Sequence, residues 1–193
     1  MSGTGVSFSE VMKGRLAVSS GAEAGSCAIL RARVSIDDLD DFLQNPLHDG
    51  SLEGTIWLPA LCGNLLPAKG TVQLFKMGRK VGERVMRYRA DFEFNGVPHA
   101  LLGDKYVFDD PGFDAWKDVT KLHAKVVRFL PNGNQEQLWS GVMTLSLFEA
   151  ARLMTTLRGT GDAGGLARMG GILRFAGFFL REIVTAFLPR STR

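Results

Sequence analysis

The chain is poor in the residues from which most reactive sites are assembled. Its 193 residues include two cysteines, Cys27 and Cys62, and three histidines. The cysteines lie far apart and form no C-x-x-C, which argues against a dithiol redox site or a zinc ribbon. Free, buried thiols in a reducing compartment are the expectation. His48, His99 and His123 stand singly without ligand spacing, so no metal is expected. No G-x-G-x-x-G follows a strand, no G-x-S-x-G elbow is present, and neither cysteine has a basic residue close by to activate it. No cofactor is expected either.

Long apolar runs are also missing. A spanning helix needs roughly 18–20 apolar residues. The nearest approach, residues 170–188, is interrupted by Arg174 and by Arg181-Glu182. The N-terminus, MSGTGVSFSE, has neither the basic nor the apolar region of a signal peptide. A cytoplasmic protein is expected, with peripheral contact to the inner membrane face as the further expectation. The formal charge is only +3, but its distribution is uneven: from Leu166 onward five arginines stand against one acid, Glu182. Without a basic stripe elsewhere this is a poor phosphate track, so nucleic acid is not an expected partner. An acidic partner or an anionic membrane surface suits it better.

What the chain does have is alternation. Met86, Tyr88, Ala90, Phe92 and Phe94 share one face of a strand, with Arg87, Arg89, Asp91 and Glu93 on the other. A one-residue slip would bury four charges, so the register is well determined. Ala28, Leu30, Ala32, Val34 and Ile36 repeat the pattern, as do Leu122, Ala124 and Val126. Further strands are expected at 13–19, 52–58, 70–76, 98–108 and 137–145. Turn signals separate them: 78–82, Pro131-Asn132-Gly133-Asn134, and Asn95-Gly96, a two-residue hairpin signal. About eight strands joined by hairpins predict a mainly β fold, an antiparallel up-and-down barrel of the lipocalin or calycin type. Closure removes the exposed edges. A two-layer sandwich is the alternative, and the absence of βαβ units excludes a parallel nucleotide-binding sheet.

Three helices are expected. A short one covers 37–44, with Asp37 as cap and Pro46 as stop. A second starts at the capping box Ser146-x-x-Glu149 and ends at Gly159. A third covers about 166–188 before Pro189. The organisation is thus a barrel over 1–146 and a C-terminal helical segment over 147–193 packed on it, within one domain. The third helix carries a broad apolar face and a narrow polar stripe of Arg168, Gly171, Arg174, Arg181, Glu182 and Thr185. Such a face docks on the barrel or a second copy, closes a cavity, or lies on a membrane.

The stretch Gly103–Leu122 holds the densest set of polar candidates. Ala100, Leu102, Tyr106 and Phe108 alternate on one side of a strand, and Asp104 falls on that same face, where it needs a buried partner. Asp104 is the candidate catalytic carboxylate, with Tyr106 beside it. Asp109-Asp110-Pro111-Gly112 reads as turn chemistry rather than a calcium loop, because the D-x-[DN]-x-[DN]-G spacing is lacking. Met86, Tyr88, Phe92, Phe94, Leu102, Phe108 and Trp116 are the candidate ligand-binding side chains of an interior large enough for one hydrophobic molecule.

The segments LEGT (52–55), KGTVQLF (69–75), MRYRADF (86–92), GDKYVFDDPGFDAWKDVTKL (103–122) and RFAGFFL (174–180) resemble a bacterial accessory domain. In actinobacteria it accompanies GMC-type, cholesterol-oxidase-like oxidoreductases and α/β-hydrolase-like modules. The resemblance runs from about Val6 to the terminal helix, and it brings no catalytic residues with it. It implies a module working near enzymes of steroid or other lipid substrates. The expected function is therefore non-catalytic binding of a lipid or steroid. The alternatives are a cofactor-independent isomerase, cyclase or hydratase, and a structural subunit of a separate oxidoreductase chain.

Overall fold

A computed structural model describes residues 4–18, 25–79, 83–107, 119–146, 155–161 and 164–187. The strands are β1 (Gly5–Val18), β2 (Ser26–Ile36), β3 (Asp49–Trp57), β4 (Leu65–Met77), β5 (Arg84–Phe94), β6 (Val97–Val107), β7 (Lys121–Phe129), β8 (Gln135–Thr144) and β9 (Arg158–Thr160). Two helices are described, α1 (Leu39–Gln44) and α2 (Gly165–Phe187). Consecutive strands from β1 to β8 pair antiparallel, and β1 closes the circuit by pairing with both β2 and β8. The result is the expected eight-stranded up-and-down barrel, and the sandwich alternative falls away. The short β9, which the sequence reading did not foresee, extends the sheet by pairing with the first residues of β1.

The interior follows from the pleat. Val6, Phe8, Met12 and Leu16 of β1, Ala28 to Ile36 at alternate positions of β2, and Met86, Tyr88, Ala90 and Phe92 of β5 are all buried. Arg87, Arg89 and Glu93 face solvent. Charges outside and apolar groups inside are the reverse of a lipid-facing barrel. The Asn95-Gly96 turn has φ of 51° and 72°, the two left-handed residues of a type I′ hairpin. This turn pairs Phe94 with Val97 and counts the β5–β6 register from there. Gly54 and Gly70 sit where a neighbouring strand's backbone approaches closely. A Cβ on Gly54 would strike the Arg31 carbonyl of β2, and one on Gly70 the Arg89 carbonyl of β5.

α2 lies across one end of the barrel. Phe175 stacks on Phe8 at 5.7 Å, while Phe178 meets Phe42 of α1 edge-on at 5.4 Å. Phe179 meets Phe75 at 4.9 Å. Phe75 is available because β4 bulges between Gln73 and Lys76, where Phe75 takes φ 53° and both Leu74 and Phe75 are buried. Glu182 turns inward to Arg84 at 2.9 Å, tying the helix to the start of β5.

Three local expectations change. The cap of α1 is Asp38, whose carboxylate accepts from the N–H groups of Asp40 and Asp41, because Asp37 still belongs to the chain leaving β2. Cys27 is exposed, since it alternates with the inward Ala28, and Cys62 is half-buried; both are free thiols. Most of the helix expected from Ser146 lies outside the described residues.

Replacing Gly54 with alanine is expected to cost about 3 kcal/mol, the upper range for overpacking against a fixed backbone. Gly63, with open space around its Cα, is the control: G63A is expected to stay within about 0.5 kcal/mol of the parent. Urea denaturation of both variants checks the difference.

Candidate functional site

The polar residues that meet inside the barrel are Glu10, Tyr88 and Lys105. Glu10 follows Val6 and Phe8 on the inward face of β1, one inward position below the ring that stacks on α2. Tyr88 occupies the inward face of β5. Lys105 pairs with the inward Met86 across the β5–β6 ladder. The lysine and glutamate side chains are 3% and 1% exposed, so neither charge is shared with water.

Lys105 Nζ donates to Glu10 Oε2 at 3.2 Å and to Tyr88 Oη at 3.1 Å, and lies 4.7 Å from the centre of the Tyr88 ring. The ammonium thereby gains an ion pair, a hydrogen bond and a cation–π contact in place of its hydration shell. An ammonium has three N–H donors and a carboxylate two oxygens. Two donors and one oxygen are used. Glu10 Oε1 is buried with no hydrogen-bond partner among the described residues. Burial first, then the negative charge of Glu10 and a hydrogen bond to it, push the Tyr88 phenol well above its ordinary value. The phenol is therefore protonated across the neutral range.

Asp104 and Tyr106 are placed differently from expectation. Arg87 is the direct cross-strand partner of Asp104, and their side chains pair at 2.9 Å with no bend at Gly103. Partners across a ladder share a face, so Asp104, Leu102 and Tyr106 point outward with Arg87 and Arg89. His99, Leu101, Gly103, Lys105 and Val107 turn inward instead. The apparent apolar face of β6 was thus assigned to the wrong side. Asp104 opens onto an outer concavity of about 860 Å³ that also presents Arg89, His123 and Lys125. Tyr106 lies edge-on to His123 at 5.7 Å, and its phenol is raised by desolvation and then by Asp104 and Glu83.

Of the candidate ligand-binding residues, Met86, Tyr88 and Phe92 face the interior and are buried. Phe94 shares their face but is half-exposed beside the hairpin. Leu102 is on the outer face, and Phe108 and Trp116 lie outside the described residues. Glu10 and Lys105 were missed, although the sequence held a signal for each. Counting from the Asn95-Gly96 turn sets Lys105 opposite Met86. Glu10 alternates with Val6, Phe8 and Met12, but the first strand had been started only at Lys13. Among the described residues no group of acids, histidines and cysteines is arranged to hold a metal ion. The chain matches no protein family, no curated protein and no solved structure.

Two outcomes are expected. Lys105→Met alone strands the Glu10 charge and is expected to cost about 3–5 kcal/mol, whereas Glu10→Leu with Lys105→Met is expected to return close to the parent stability. Thermal or urea melts of the set check this. The second concerns pH. A phenol with a raised folded pKa contributes stability in full below the unfolded value near 10 and loses it as pH climbs toward the folded value. One such group gives a loss of up to about 1.4 kcal/mol per pH unit. Tyr88 and Tyr106 are the two tyrosines of the chain. In Tyr106→Phe, phenolate absorbance is expected to appear only together with unfolding.

Proposed function

We propose that the protein is a non-catalytic binding barrel for one apolar molecule that carries a hydroxyl group, in the lipid or steroid class. The observation that carries this reading is the unpartnered Glu10 Oε1, buried among the apolar side chains of the core beside Lys105 and Tyr88. A buried carboxylate oxygen without a donor is costly unless a ligand or a water completes it. A hydroxyl is both donor and acceptor, so one oxygen bridging the pair would donate to Glu10 Oε1 and accept the remaining proton of Lys105. A carboxylate ligand would face Glu10 with like charge, and a pure hydrocarbon would leave the oxygen unpaired.

The position of the cluster supports the same reading. On their own strands its inward neighbours are Phe8 and Met12, Met86 and Ala90, and Gly103 and Val107. The end of the barrel above it is covered by the aromatic side chains of α2 rather than by a strand hairpin. A helix held by ring contacts and two ion pairs, Glu182 to Arg84 and Arg174 to Asp40, is the part of the wall that opens at least cost to the β ladder. The enzyme reading loses Asp104, which is wet and paired to Arg87. Were turnover to occur, Glu10 as base and Tyr88 as donor would be the pair to test.

Native mass spectrometry of the purified chain, with extraction and identification of what it carries, tests the proposal. A sterol or other hydroxylated lipid at one per chain is the expected result. Glu10→Gln is expected to weaken its retention about 10-fold or more, the range for a hydrogen bond to a charged group. A clean mass with no uptake of added sterols or fatty alcohols overturns the reading and leaves the docking subunit in front.

A further inference from the structure

Closure of the barrel also builds a surface on its outside. β1 and β7 flank β8, and their outward residues face each other across it on successive rungs. Lys13 and Lys121 both pair with Thr144, and Arg15 and His123 both pair with Val142. Ser140, the next outward residue of β8, pairs with Lys125. Neighbouring strands lie about 4.8 Å apart, so the two banks stand about 10 Å from each other. Between them lie only the short, uncharged side chains of Ser140, Val142 and Thr144. Lys13, Arg15, Lys121 and Lys125 are all exposed. The sequence shows no basic stripe here, because residues 13–15 and 121–125 come together only when β1 closes on β8.

None of these four charges is neutralised within the fold. The side chains of Lys13, Lys121 and Lys125 make no ion pair among the described residues, and Arg15 donates to the Gly25 carbonyl. The acids that border the strip, Asp104 of β6 and Glu136 at the start of β8, are taken by Arg87 and Arg128. On β2 the band continues with exposed Arg31 and Arg33, and Glu53 beyond them is paired with Lys69. A complementary partner is therefore anionic. Shape and chemistry select among anions. A nucleic-acid duplex, whose major groove alone is about 12 Å wide, is too broad to enter between the banks. Single strands rely on rings for stacking, and no phenyl or indole ring stands on these rungs. A helix or loop that enters a membrane surface does so with large apolar side chains, and the banks offer none. An extended peptide is one strand wide and turns successive side chains to opposite sides. Acidic residues in a row would reach both banks, while the backbone lies on the short floor.

We infer that the outer wall over β8 binds an extended acidic peptide segment of a partner protein, with Lys13 and Arg15 holding its carboxylates from one side and Lys121 and Lys125 from the other. This surface lies outside the barrel and does not depend on what the interior holds. The test is fluorescence anisotropy of a labelled oligoglutamate peptide titrated with the full chain at low ionic strength. Saturable binding is expected, and it is expected to fall as salt is raised. Lys13→Gln and Lys121→Gln are each expected to weaken it about two- to five-fold, the worth of one exposed ion pair. Lys76→Gln, on β4 and outside the band, is expected to leave it unchanged. The double variant Lys13→Glu/Lys121→Glu is expected to abolish binding while circular dichroism shows the parent fold. Absence of binding to oligoglutamate overturns the inference, as does binding that the folded double variant retains. Tighter binding of a DNA duplex, of oligothymidylate or of phosphatidylserine vesicles than of the peptide also overturns it, and would assign the band to phosphate.

Discussion

Closure through β1 is the constraint on which the rest of this structure depends. An open sheet of eight strands would present two unpaired edges and leave its apolar face half covered. β1 pairs with β2 over Val6–Leu16 and with β8 over Lys13–Val18, so one long strand satisfies both edges. Its first residues, beyond the reach of β8, pair with β9 instead. The length of β1 therefore decides both that the sheet closes and that further chain can be added at one end of it.

Closure also creates the buried cluster. Glu10 and Lys105 come from strands that are not neighbours in the sheet, and they are 95 residues apart in the chain. Curling the sheet brings their inward faces together across the interior. Moving two charges out of water is expensive, and their attraction offsets this only when the geometry is good. Here the pair is supplemented by the Tyr88 hydroxyl and ring, yet one carboxylate oxygen is left over. A core built for stability alone would place leucine and methionine at these positions. A buried pair left incompletely satisfied calls for an explanation beyond packing, and the proposed ligand supplies one.

α2 connects this interior to the outside. Its inner face seals the barrel end with Phe175, Phe178 and Phe179, while its outer face is apolar again and bordered by arginine. A helix apolar on both sides has two surfaces to satisfy, and the barrel satisfies one of them.

Local alternation was enough to specify most of the fold. The faces of β2, β5 and β7 were legible because a slip by one residue would have buried arginines or lysines, and the Asn95-Gly96 turn was legible because only residues tolerant of positive φ fit it. The terminal helix was legible from its period and from Pro189. β6 was not, because Leu102 and Tyr106 look more like interior residues than Gly103 and Lys105 do, and hydrophobicity read along one strand cannot see its partner. The pairing with β5 overrides it, since cross-strand neighbours must share a face. What only the tertiary structure decided is which polar residues meet: Asp104 goes out to Arg87 through the ladder, and Glu10 reaches Lys105 only through closure. The sequence by itself determined the strands, because the period of a strand is local. The site was decided by the tertiary structure, because the distance across a barrel is set by all eight strands together.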